Sequence, residues 1–214
     1  MNYLAHFLLA EQVAQRCDLS TDGLLVGGLL GDFVKGPLRG DFPSPWETGI
    51  RLHRRIDALT DSHPLVSHCL EALPANYRRY GGIMLDVCFD HCLSMNWRDF
   101  HHQDIVTFTS QSYRSLLDHS ENFPTAAKRQ IRFLAQYDVL SKMDDWRNIE
   151  AMLGRIGQRV KRDNPLGHCG PELAHLLPLI NQQFAALYPN LMTQLCEEFS
   201  PNAALTHPTK VGLV

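Results

Sequence analysis

The chain has 214 residues, 44% of them hydrophobic and 20% charged, with a formal net charge of −3. That length suits one substantial core, the usage excludes a disordered or fibrous chain, and the acidic balance excludes a general nucleic-acid binder, which needs a basic excess against phosphates. No apolar run approaches the roughly 20 residues of a membrane helix, and His6 and Glu11 interrupt the apolar start before a secretory cleavage pattern can form, so a cytoplasmic protein bound to no membrane is expected.

Apolar residues recur at spacings of three and four almost throughout, and no alternating run is flanked by hairpin turns, which predicts an all-α, single-domain helical bundle over residues 1–199. The first helix covers about 2–16. The second, in "DGLLVGGLLGDFVKG", runs from Asp22 to Val34, with Gly27, Gly28 and Gly31 allowing close helix packing. Neither a P-loop nor a dinucleotide fingerprint is present there. Ser44, Pro45 and Glu47 read as a hydroxyl cap, a proline at the first helical position and a capping-box glutamate, so a third helix starts there and ends near Ser62, ahead of His63-Pro64. Further helices are expected at about 64–73, 76–98, 103–120, 124–137, 145–162 and 171–198, the last kinked or divided by Pro178 and Pro189. Residues 200–214 read as a flexible tail. Six dispersed cysteines read as reduced, mostly buried thiols.

On the third helix Leu52, Ile56 and Leu59 form an apolar stripe, while His53, Asp57 and Asp61 line up four apart beside it, with Arg51 and Arg54 pointing away. Alone, that pattern also describes a salt-bridged surface helix. In "YGGIMLDVCFDHCLSMNW", Asp86 and Asp90 lie four apart on a helix that is apolar nearly all round, with His91 adjacent. Burying an ionised carboxylate costs several kcal/mol unless a cation or hydrogen-bond donors compensate, and two such carboxylates repel. Either a metal ion or a network with Arg54, Arg55 or Arg78 answers that demand. His6, among apolar neighbours on the first helix, and Asp32, after the glycine-rich run, extend the set. His6, Asp32, His53, Asp57, Asp86, Asp90 and His91 offer only imidazole and carboxylate groups, which suit Mn²⁺, Mg²⁺ or Fe²⁺. A zinc site on Cys88, Cys92 and His91 is conceivable but lacks a second ligand pair.

With "MNYLAH" at the start, "GDFVKG" around Asp32, "HRRID…TD" from His53 to Asp61, "LDVCFDH" from Leu85 to His91 and, more weakly, "YPNLM" at 188–192, the chain resembles the acyl carrier protein phosphodiesterase family. The resemblance is close over the first half, and it implies an all-α fold related to the HD-type metal-dependent phosphohydrolases. It implies hydrolysis of the phosphodiester joining 4′-phosphopantetheine to a serine of holo-acyl carrier protein, with a divalent metal, foremost Mn²⁺. Where HD enzymes show an adjacent His-Asp, this chain has Asp90-His91 and a separated His53 and Asp57. The expected metal ligands are His53, Asp86, Asp90 and His91, with His6, Asp32 and Asp57 as additional ligands, orienting groups or a general base. Lys35, Arg54 and Arg55 are expected to hold the diester or the acidic carrier protein, beside a basic rim that includes Arg51, Arg78 and Arg79. Two other readings share these residues: an HD-like hydrolase of a nucleotide or other small phosphate ester, and a non-catalytic helical adaptor for an acidic protein.

Overall fold

The structure, a computed structural model, describes residues 1–200. Apart from Ser200, the expected tail lies outside them. The described residues form ten α-helices and three short 3₁₀ segments joined by turns and loops, and no strand occurs among them. The helices are α1 (Tyr3–Cys17), α2 (Thr21–Leu30), α3 (Ser44–Asp61), α4 (Pro64–Ala72), α5 (Gly81–Met95), α6 (Trp97–Phe100), α7 (Ile105–His119), α8 (Thr125–Tyr137), α9 (Trp146–Arg159) and α10 (Gly170–Phe199).

The all-α fold read from the periodicity is the one observed. Its centre is α1, α2, α3, α5 and α10, whose Leu4, Phe7, Leu8, Leu29, Leu52, Phe89 and Phe184 are fully buried. Helix α2 is apolar all round because it is buried from Gly23 to Leu30. Its closest packing is against α3, where a Cβ on Gly27 would run into the backbone of Gly49 and Ile50. Two side chains larger than hydrogen at Gly27 and Gly49 would hold these helices apart.

Several boundaries differ from the sequence expectation, each for a local reason. Helix α2 stops at Leu30, so Asp32 sits in the turn that follows rather than on the helix. The expected 76–98 helix divides into a 3₁₀ turn (Arg78–Tyr80), α5 and α6, with the break at Asn96, whose side-chain amide donates to the Cys92 carbonyl and to Asn181. The capping box at Ser44 does not form: Glu47 Oε1 instead accepts the Gly40 amide at 2.8 Å, bracing the loop ahead of the helix. Helix α10 runs through Pro178 and Pro189 as one element. His63 caps α4, its Nδ1 accepting the Leu65 amide at 3.2 Å. Five of the six cysteines are buried, Cys196 is half-buried, and all six are unpaired.

Candidate functional site

Three elements converge on one cluster of polar side chains. Helix α1 brings His6, helix α3 brings His53 and Asp57 one turn apart, and the turn after α2 brings Asp32. The His6 and His53 rings stack with centroids 4.0 Å apart and planes 13° from parallel. That approach depends on Gly31, where a Cβ would collide with the His53 ring. Asp57 reaches both rings: Oδ1 lies 3.0 Å from His6 Nε2 and Oδ2 lies 3.2 Å from His53 Nε2. Asp32 Oδ1 stands 3.7 Å from the same His53 Nε2, and Asp32 is half exposed whereas both histidines are buried.

The protonation of this group follows from its partners. His53 Nδ1 is 2.9 Å from the Gly28 carbonyl, which only accepts, so Nδ1 carries the proton. Nε2 of the same ring points at two carboxylates, Asp57 Oδ2 and the more distant Asp32 Oδ1, a set that a shared proton or a bound cation holds together. Histidines that bind metals use this same backbone-carbonyl tether on the other ring nitrogen. Burial, and next the neighbouring His53, push His6 down to about 4, so its ring is neutral near pH 7. His6 Nδ1 is buried without a partner. Burial acts to raise the Asp57 pKa, yet hydrogen bonds from His53 and His6 hold it well below the usual carboxylate range. Two imidazoles around a carboxylate offer donors that fit a divalent ion: the ligand atoms of His6, His53 and Asp57 lie within 4.8 Å of one another. Among the described residues this is the one His/Cys/Asp/Glu group of three or more with that geometry.

Helix α5 uses its polar residues differently. Asp90 is fully buried, and its two oxygens accept the amides of Leu4 at 2.9 Å and Ala5 at 3.0 Å. Asn2, at the cap position of α1, makes no side-chain cap bond, so Asp90 supplies from another helix the acceptor that the first turn lacks. Burial raises Asp90 to about 7 against the pull of those two amides. His91 turns the other way, its Nδ1 donating to the Met143 carbonyl at 2.7 Å and its ring set edge-on to Trp146. Asp86 is half exposed and faces the Met1 ammonium at 2.8 Å, which also lies 3.5 Å from Asp57. His53, Asp86, Asp90 and His91 are thus not gathered around a common point. The compensation the buried carboxylate needs is a helix N-terminus, and Asp90 thereby fixes the turn that carries His6. The zinc alternative has no support: Cys88 and Cys92 are buried, and burial holds both thiols protonated, Cys92 pushed up to about 12.

The arginines are also redistributed. Arg54 donates to the Val34 carbonyl at 2.8 Å, tying down the turn with Asp32 and the exposed Lys35. Arg55 is paired bidentately with Glu198 at the end of α10. Arg51 bonds Thr48 on its own helix, Arg78 closes the C-terminal end of α4 through the Leu73 and Glu71 carbonyls, and Arg79 lies over the Tyr80 ring. Two features were absent from the sequence reading. Tyr3 places its hydroxyl beside Asp32, and burial, then Asp32, hold that phenol well above its ordinary range. Beside it opens a cleft of about 210 Å³ that Asp32 and Tyr3 share with residues of α8 and α9.

The family model described as "Acyl carrier protein phosphodiesterase" matches residues 1–191. A protein of that name from Yersinia enterocolitica is 33% identical over 196 residues, 91% of this chain and 97% of the relative. One from Escherichia coli is 31% identical over 198 residues, again 91% and 97%. A third, from Photorhabdus laumondii, is 43% identical over 97 residues, 45% of each chain. No solved structure matches the chain.

Proposed function

The chain belongs to the acyl carrier protein phosphodiesterase family, and from that premise we propose that it hydrolyses the phosphodiester between 4′-phosphopantetheine and the serine of holo-acyl carrier protein. The products are the apo carrier and free 4′-phosphopantetheine. The observation that carries the reading is the convergence of His6, His53 and Asp57, whose ligand atoms lie within 4.8 Å of one another, beside the solvent-exposed Asp32.

His6, His53 and Asp57 hold a divalent ion, with Mn²⁺ preferred and Mg²⁺ or Fe²⁺ suited to the same donors. Bound there, the ion supplies an acidified water and neutralises charge on the phosphoryl oxygens. The chain's own residues do the rest. Gly28 locks the His53 tautomer, Asp90 fixes the α1 turn that carries His6, and Asp57 bridges the two rings. Asp32, the exposed carboxylate, is the general base: its free oxygen takes the proton of the attacking water, and the Tyr3 hydroxyl orients it. Lys35, exposed in the turn that carries Asp32, steers the acidic carrier, while Arg54 holds that turn in place. Kinship with HD-type phosphohydrolases rests on the His/Asp donor chemistry alone, here with His53 and Asp57 four apart.

The test is the mass of holo carrier protein after incubation with the enzyme. Loss of the 4′-phosphopantetheine mass with Mn²⁺, no loss after chelation, and recovery on readdition are expected. An unchanged mass with metal present removes the proposed reaction, and hydrolysis of small phosphate esters in its place points to the small-substrate alternative.

A further inference from the structure

The cleft beside the site has the composition of a ligand seat rather than of a packing defect. Its lining includes Tyr3 and Asp32, the one exposed member of the histidine and carboxylate group. Its apolar lining comes from Phe133 and Leu134 on α8 and Val139 beyond it, with the polar Gln130 on the same helix. Its remaining wall is one face of α9, where Met152, Arg155, Ile156 and Arg159 recur at the i, i+3, i+4, i+7 spacing that lines up side chains along a helix. The two arginines are exposed, and neither forms a salt bridge among the described residues. Arg55, Arg132 and Arg147 show the contrast, each being paired with a carboxylate. Arg159 is close enough to the Tyr3 hydroxyl for its charge to be felt there, which puts it at the Asp32 end.

A concave, mostly apolar trough with a few convergent polar groups is the form of a small-molecule subsite. Its order matches one substrate part: a phosphate at the end near Asp32, followed by a neutral chain with a branched dimethyl carbon and amides. We propose that this cleft seats the 4′-phosphopantetheine arm, with Arg159 on the phosphate and Arg155 one turn back along the amide-bearing chain. The proposal rests on the reaction given above and names the residues that recognise its prosthetic group. Arg159 brings the fixed charge and planar donors that suit phosphate. Phe133, Met152 and Ile156 cover the apolar carbons.

The experiment measures binding of free 4′-phosphopantetheine by calorimetry to metal-free wild type, Ile156→Trp and Arg159→Met, alongside cleavage of holo carrier and of bis(p-nitrophenyl) phosphate by the Mn²⁺-loaded forms. Wild type is expected to bind the arm. Ile156→Trp fills the trough and Arg159→Met removes its phosphate donor, and each is expected to weaken binding about tenfold or more. Each is also expected to raise KM for holo carrier by a similar factor and to lose more activity on holo carrier than on the small diester. The proposal is overturned if both variants bind and cleave as wild type does, or if wild type cleaves holo carrier without binding the free arm. Because Ile156→Trp can disturb α9, Arg159→Met, an exposed substitution, decides where the two differ. If the arm binds and the variants lose it while holo carrier stays intact, the seat stands and the reaction falls.

Discussion

Helices α3 and α5 start from the same material and end in different roles. Each sets a histidine and carboxylates at or near a four-residue spacing beside an apolar stripe, His53 and Asp57 on one, Asp86, Asp90 and His91 on the other. On α3 the row faces His6 and the half-exposed Asp32, so its polar atoms meet one another and the solvent. On α5 the buried carboxylate is satisfied by the first-turn amides of α1 and the histidine by the Met143 carbonyl. Spacing makes a row of ligands possible, and the distant backbone decides whether the row is left wanting a cation.

The largest effect that would break this contrast is at Asp57. Asp57→Asn should reduce hydrolysis of holo carrier about a thousandfold or more while the protein stays folded, read as turnover beside a circular dichroism melt. Near-wild-type turnover would move the site off α3. For Asp90→Ala the order of effects is reversed. Two amides and a fully buried cavity lose their partner, so a stability loss of about 2–4 kcal/mol is expected in denaturant unfolding, with activity falling only as the α1 turn loosens. A loss within 0.5 kcal/mol, the scale of ordinary surface changes, would show that α1 does not depend on that acceptor.

Gly31→Ala sharpens the same comparison from inside the site. The added methyl meets the His53 ring, and displacing that ring should cut turnover about tenfold or more while costing about 1–3 kcal/mol of stability. Unaltered kinetics would mean that the ring position is not critical. The smallest effect is at Arg55→Ala, whose exposed ion pair with Glu198 should contribute under about 1 kcal/mol and fade as salt rises. A large loss of carrier cleavage there would restore Arg55 to the partner surface.

The fold class and most helices were legible because amphipathic periodicity reports burial directly, and α3 shows this at full length, from its start near Ser44 to its stop before Pro64. The break at Asn96 and the stop of α2 at Leu30 were not, since both depend on bonds and packing made after the helices meet. In the site, His6, His53 and Asp57 could be named from the sequence because each polar side chain interrupts or borders an apolar face. Asp90 looked the same by that criterion, and its true partner, an uncapped turn 85 residues away, has no mark in local spacing. Asn2 ahead of α1 reads in the sequence as a cap that would claim those amides, and only the structure shows that it makes no cap bond. Gly31 was read with Gly27 as a packing glycine, yet Gly27 admits a helix and Gly31 admits a histidine ring. Arg155 and Arg159 escaped notice because an arginine on an amphipathic helix reads as a solvated face until the opposite wall of the cleft is known.

The most direct test is calorimetric titration of Mn²⁺ into metal-free wild type, Asp57→Asn and His91→Ala. Wild type and His91→Ala should bind alike while Asp57→Asn shows no binding or a loss of affinity of about a hundredfold or more, because it removes the charge of a direct ligand where loss of an outer partner alone costs about 10–100-fold. Binding abolished in His91→Ala and kept in Asp57→Asn would contradict the account and return the metal to α5.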